Sequence, residues 1–507
     1  MELKLEQEYM NGYVPVLETQ LTQEETLEAI VPDAYPDILG VVDCGGQVML
    51  TGKDVQDGEV SVSGKVLGWL LYRPEDGQGI RRMELTIPFT ARTAAAGVEA
   101  RCRCVAQPRL RGMDVRALNP RKILARADLA VEVEVYAEVN GAVCSGVTGQ
   151  EEDGLEQRVG EYTVYSAPAV QEKEFSIYDE VRLSVNTDRP PEILCAQASP
   201  VCTESRIIGN KFVFKGEVRV QLRMLCDGQL CGQNVGVSFS QIMELADVSE
   251  GADGQVELCM TGLELSPSQE DDRALSVSMD ILAQAVVREQ RRLRVLEDVY
   301  STAAQLQLQR ESLQSEQLAE RTVRTQNLRQ LLELPDMVSA VVDAQAELIS
   351  VQVNYRDGAF EPEGQVRVRV LYLDGEEQPC CVSRVLSTSV RVDALAGTRC
   401  RCRCMCPGDV FANPAAGGVE VRLSLPFYIL LTATSAIPVI TQIQPGPERE
   451  RRAGDRPSMV LRAAVPGESL WDIAKAYSTT CERIRRANAM DTDELPVGQM
   501  LLIPGAC

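Results

Sequence analysis

Cysteine is the residue type with the most chemistry to offer in this chain. Seventeen are present and histidine is absent, which removes the commonest general base and the commonest metal ligand. Six of the thiols fall in two clusters, Cys102-x-Cys104 and the run Cys400, Cys402, Cys404 and Cys406. Zinc ribbons space their ligands two residues apart so that both sulfurs converge on one ion. A one-residue spacing in an extended strand instead puts the sulfurs on one face. The alternating Arg101, Arg103, Arg399, Arg401 and Arg403 then lie on the other. Three readings of the thiols stay open: reduced small core hydrophobes, a thiolate metal site in the four-cysteine run, and intermolecular disulfides that would include the terminal Cys507. No glycine-rich phosphate loop, zinc-binding His-Glu pair or Gly-x-Ser-x-Gly elbow is present. The carboxylates mostly sit between apolar strand positions and read as solvated faces. The chain is expected to be no enzyme, with no cofactor and no catalytic or metal site.

The elements that carry these residues repeat. Gly64-Lys-Val-Leu-Gly-Trp-Leu-Leu-Tyr, Gly216-Glu-Val-Arg-Val-Gln-Leu-Arg-Met-Leu and Gly364-Gln-Val-Arg-Val-Arg-Val-Leu-Tyr-Leu lead to Asp76-Gly77, Asp227-Gly228 and Asp374-Gly375. The leading glycines are 152 and 148 residues apart. Each copy alternates with the strand period and ends in a turn dipeptide that tolerates positive φ. Upstream of each stands an acidic proline segment (Val31 to Ile38, Asp188 to Ile193, Leu334 to Met337). Downstream, alternating strands begin at Leu129, Ala274 and Val419. This spacing predicts a mainly β protein of three repeated antiparallel, sandwich-like domains over 1–165, 166–310 and 311–444. Thr302 to Leu318 reads as an extended connector. Pro445 to Pro457, dense in charge and framed by prolines, reads as a solvated, mobile tether.

Composition narrows the function. At 507 residues the chain exceeds one core, and about three to four domains is the expectation. The formal charge is −23. The segment from Ser458 onward accounts for only −1 of it, so the rest of the chain carries −22. Such a surface repels nucleic acid and anionic membranes. No stretch approaches the roughly 20 apolar residues that span a bilayer. The charged start, Met1 to Tyr9, lacks a signal-peptide core, so the chain is expected to stay in the cytosol that made it.

The last fifty residues follow another plan. A short apolar run from Val460 enters a Pro466-Gly467 turn, and Ser469 with Asp472 forms a capping-box pair for a helix. Leu470, Ile473, Ala474 and Tyr477 make one apolar stripe. Thr480 caps a second helix in which Ile484 and Ala487 face inward. A loop from Asp491 to Gly498 leads to a strand over Met500 to Ile503. The order is strand, helix, helix, strand.

This stretch, on Gly467-Glu-Ser-Leu-Trp-Asp-Ile-Ala, Asn488, Gly498-Gln499 and Leu502-Ile-Pro504, resembles the LysM domain, a small βααβ glycan-binding module spanning 458–507 here. The family's usual Asp-Thr after the glycine is replaced by Glu468-Ser469. The resemblance implies a groove between two loops, with Pro466, Gly467, Glu468, Ser469 and Leu470 on one side and Asp491, Leu495, Pro496, Val497 and Gly498 on the other. Asn186-Thr-Asp-Arg-Pro-Pro-Glu-Ile and Asn119-Pro-Arg-Lys-Ile are similar to the SPOCS domain of clostridial spore-coat proteins. The third copy lacks a close counterpart of the second motif. Together the two resemblances imply a spore-coat scaffold of the SipL type, made in the mother cell and gathered on the forespore surface. Its LysM module would dock on a coat-basement ATPase of the SpoIVA type. The alternative they imply is binding of peptidoglycan or chitin-like N-acetylglucosamine oligomers in the same groove.

Overall fold

The period-2 alternation is realised as strands far longer than the usual five or six residues. The computed structural model describes residues 3–77, 79–150, 154–184, 190–246, 248–249, 251–268, 271, 273–335, 337–393, 397–405, 410–448, 459–495 and 498–504. The first unit holds β1 (Lys4–Ile30), β2 (Ile38–Gln56), β3 (Glu59–Pro74), β4 (Arg81–Ala94), β5 (Arg103–Asn119) and β6 (Lys122–Thr148). The second holds β7 (Leu155–Arg182), β8 (Glu192–Ile208), β9 (Lys211–Cys226), β10 (Gln229–Glu244), β11 (Asp253–Pro267) and β12 (Ala274–Ser301). The third holds β13 (Ala304–Glu333), β14 (Val338–Arg356), β15 (Ala359–Asp374), β16 (Pro379–Ser389), β17 (Val392–Asp393), β18 (Thr398–Cys404), β19 (Phe411–Ala415) and β20 (Gly418–Glu448). The terminal segment forms β21 (Met459–Ala463), α1 (Leu470–Tyr477), α2 (Cys481–Asn488) and β22 (Met500–Pro504).

Each unit is built the same way. A three-stranded meander (β2-β3-β4, β10-β9-β8 or β14-β15-β16) covers a ladder in which the unit's first long strand pairs antiparallel with its last. The two layers enclose one apolar core per unit, the sandwich arrangement expected. The units begin and end elsewhere than predicted. The borders at 165/166 and 310/311 fall inside β7 and β13, because half of each long strand leaves its sandwich and joins a common stem. Thr302 to Leu318 is accordingly no connector: from Ala304 it is the stem half of β13, paired with β20. The tether starts later than Pro445, since 445–448 are the last residues of β20; 449–457 lie outside the described residues.

In the stem, three two-stranded antiparallel ladders, β1·β6, β7·β12 and β13·β20, pack side by side. Met10 and Val143 from the first unit, Val164, Leu293 and Val295 from the second, and Leu313, Ile437 and Val439 from the third share one apolar cluster. The edges of the ladders touch through single bridges, Tyr13 to Ala167 and Glu316 to Tyr165.

Polar contacts close the three sandwiches into a ring. Between units one and two, Lys53, which also donates to the Cys104 carbonyl of its own unit (2.7 Å), donates to Glu172 (2.6 Å) and to Gln284 (2.7 Å). Between two and three, Gln345 donates to Gln197, and Arg403 pairs with Glu257. Between three and one, Arg111 donates to the Ile349 carbonyl (3.0 Å) and Arg367 to the Arg111 carbonyl (2.9 Å). Where the three meet, Arg223 donates to Asp343 (2.8 Å), lies 3.5 Å from Asp43 and stacks 4.4 Å over the Trp69 ring. Arg369 reaches Asp43 at 3.7 Å and donates to the Cys44 carbonyl. The side chains of Arg223, Asp43 and Asp343 are at most 7% exposed. These carboxylates are therefore no solvated faces but the centre of the molecule.

The thiols follow the strand geometry. Cys400, Cys402 and Cys404 pack on the core of the third unit. The arginines between them point to carboxylates of other strands: Arg401 to Glu18 and Glu316, Arg403 to Glu134 and Glu257. Cys406 and Cys507 lie outside the described residues, and among those described no cluster of three or more Cys, Asp or Glu is placed to hold a metal. One pair departs from the reduced-thiol reading: a disulfide joins Cys226 and Cys231, with Cα atoms 6.1 Å apart, across the turn from β9 to β10. Burial pushes the Cys402 and Cys404 thiols up to about 12. At pH 8 only about one in ten thousand such groups is thiolate. Neither cysteine is expected to react with a thiol reagent until the chain is unfolded, as peptide mapping after alkylation will read.

Candidate functional site

The terminal module forms as its sequence predicts, except that Ala487 is exposed and Ile484 alone of α2 is buried in the core. Ser469 caps α1: its hydroxyl accepts from the Asp472 N–H (3.2 Å), and the Asp472 carboxylate accepts from the Ser469 N–H (3.2 Å). Thr480 caps α2 through the Arg483 N–H (3.1 Å). Leu470, Ile473, Ala474, Ile484, Leu501 and Ile503 fill the core. Asn488 ties α2 to β22, donating to the Ile484 and Leu502 carbonyls (2.8 and 2.7 Å) and accepting from the Leu502 N–H (2.7 Å).

The predicted groove residues divide into surface and scaffold. Pro466, Gly467, Asp491 and Gly498 are exposed. Gly467 and Gly498 both have φ of 82°, a left-handed conformation that favours glycine. The Gly498 N–H donates to the Ala464 carbonyl (3.1 Å), joining the two loops at their bases. Glu468 is tied up by Arg462 (2.6 Å) and Ser469 by its cap, while Leu470 is in the core and Leu495 packs half-buried against it. Pro496 and Val497 lie outside the described residues.

Two surfaces were missed. In the two-stranded sheet β21–β22, Met459 pairs with Pro504, Leu461 with Leu502 and Ala463 with Met500. Their side chains share the outer face, and Met459, Leu461 and Met500, with the neighbouring Val465, are all more than half exposed. The apolar spacing was visible, but two strands paired over five residues have an inner and an outer face that spacing alone cannot distinguish. On the opposite side, α1 rests on the stem. Asp298 accepts from the Trp471 indole (2.8 Å) and from Lys475 (2.7 Å), and the Tyr300 hydroxyl donates to the Thr479 carbonyl (2.7 Å).

Burial opposes ionisation of Asp298, but the hydrogen bonds from Lys475 and Trp471 outweigh it and hold the carboxyl below its ordinary value. A depressed carboxyl stabilises wherever the pH exceeds the unfolded value and loses that contribution as pH falls through the folded one. Contact between α1 and the stem is thus expected to be unchanged from pH 5 to 8 and to weaken only below about 3.9. Trp471 fluorescence, read in a Trp69→Phe background, measures it.

Away from the module, a cavity of about 750 Å³ lies where the stem meets the sandwiches. It is lined by Arg109, Arg288, Arg321, Arg399, Arg401 and Arg403, most of them paired with carboxylates. It touches no predicted site residue.

Fold and site define a β-rich multidomain protein that carries a small binding module. Compared with known families, residues 465–504 match the LysM domain, and residues 37–118, covering β2 to β4 and nearly all of β5, match the SipL, SPOCS domain. The chain therefore carries a SPOCS domain of the SipL type and a LysM domain. No curated protein and no solved structure matches it. The two families are binding or structural domains, which link the chain to spore coats and to glycan or peptidoglycan recognition. Among the described residues no helix is long and apolar enough to cross a membrane.

Proposed function

We propose that the chain is a non-enzymatic spore-coat assembly scaffold, acting at the forespore surface in the mother cell. Its LysM module docks on a coat-basement protein, an ATPase of the SpoIVA type by resemblance. Units two and three, which repeat the strand order of the first, are read as diverged SPOCS domains. The observation that carries the docking claim is the kind of apolar surface the module offers. Sugar rings stack on free aromatic faces, yet Trp471 is engaged by Tyr300 (centroids 4.9 Å apart), and Arg462 lies over Tyr477 at 5.8 Å. The exposed apolar residues are aliphatic, Met459, Leu461, Val465 and Met500, and such a patch suits a protein partner.

Capture of the ATPase by the full chain is expected to vanish on deletion of 458–507. It is expected to fall at least ten-fold with Leu461→Glu, whose side chain is exposed and whose charge the fold tolerates. Undiminished capture by the deletion would refute the docking reading. The glycan alternative keeps one supporting observation, the exposed loop backbone at Pro466, Gly467 and Gly498. Co-sedimentation with purified peptidoglycan that survives Leu461→Glu would favour it.

A further inference from the structure

A strand with one face on a core should alternate between buried and exposed, yet Asp298, Val299, Tyr300 and Ser301 at the end of β12 are all buried. Val299 faces the interior of the stem, in the cluster with Val147, Leu296 and Ile443. The other face is covered by the LysM module. Tyr300 is 3% exposed and belongs to the core cluster of the module itself, with Leu470, Ile473 and Ile484. Three stem strands take part. From β12, Asp298 accepts from Trp471 and Lys475. From β13, Arg310 donates to the same carboxylate. From β7, Arg158 lies over the Trp471 ring at 5.7 Å.

A carboxylate buried to this degree needs its cations, and two of the donors that satisfy it sit on α1. An apolar ring buried in a neighbouring domain's core is likewise no chance contact. The geometry points to a catch: the module is seated on the stem tip, where it withholds the α1 face from partners and leaves Pro466, Gly467, Gly498 and the outer face of the β21–β22 pair available. This concerns how the module is presented, and its meaning for partners rests on the docking function proposed above.

The test uses the full chain with a specific protease site inserted between Glu448 and Met459. After native cleavage, the module is expected to co-elute with the body in gel filtration at micromolar concentration. Asp298→Asn, which replaces the carboxylate shared by Trp471, Lys475 and Arg310, and Lys475→Met, which removes one of those donors, are expected to weaken that retention at least ten-fold. Circular dichroism of the released module checks that it is still folded. Separation of the wild-type module on cleavage would overturn the catch, as would retention unaltered in both variants. Neither outcome bears on ATPase capture by the uncut chain, and loss of that capture leaves the catch intact.

Discussion

Arg223→Ala is expected to lower the unfolding free energy of the body by about 3–5 kcal/mol, the usual cost of leaving a buried charge without its partner. The guanidinium lies between carboxylates of two other units, Asp43 of the first and Asp343 of the third, and covers Trp69 of the first. Removing it strands Asp343 and leaves Asp43 with only the more distant Arg369, although both acids are at most 7% exposed. An exposed arginine behaves otherwise. Arg101→Ala, which removes a solvent-facing pair with Glu99, should cost below about 1 kcal/mol. Urea unfolding followed by far-ultraviolet circular dichroism compares the two. Equal costs would mean that the units are not held together at this centre.

The second large effect concerns the glycines that lead each repeat. A methyl group on Gly216 would run into the Val201 carbonyl oxygen and come within 2.7 Å of the Phe239 ring. On Gly64 it would lie 2.6 Å from the Met49 carbonyl oxygen and 2.5 Å from Phe89. On Gly364 the nearest atom is a Leu425 methyl at 3.1 Å, a side chain that can move. Backbone cannot yield as cheaply as a leucine. Gly216→Ala should therefore cost at least the about 1–3 kcal/mol typical of overpacking, Gly64→Ala somewhat less, and Gly364→Ala under about 1 kcal/mol. Thermal melts rank the three, and a reversed order would count against the packing argument.

The glycines illustrate how far sequence reading reached. Their recurrence was legible because each opens a strand of regular alternation and closes on a turn dipeptide. The reason for glycine, the approach of a carbonyl or ring, lies on the neighbouring strands, outside the alternation of its own. The LysM module was legible almost residue by residue, since caps, stripe and turn glycines act within a few positions of one another. Unit borders were not. The stem half of β7 alternates like its sandwich half, and only its partner, β12, more than a hundred residues away, says where the sandwich ends. The central charges hid for a related reason. Trp69, Gln221 and Arg369 each stand five residues past a leading glycine, so the repeat places them equivalently. Their chemistry has diverged to complement rather than copy, and a lone Asp43 or Asp343 looks like any surface acid. Asp298 and Tyr300 carried no local signal beyond a break in alternation.

Because the three sandwiches meet in a cycle within one polypeptide, every face that could bind a like sandwich is already satisfied. A second chain finds no vacant copy of that contact, so the body cannot polymerise through it, whatever the protein concentration. On the proposed role, growth into a layer proceeds through unlike surfaces, such as the exposed outer face of the module on its stem. On that role each chain contributes one adhesive point, and the supply of its binding partner, rather than its own abundance, limits how densely it can be laid down.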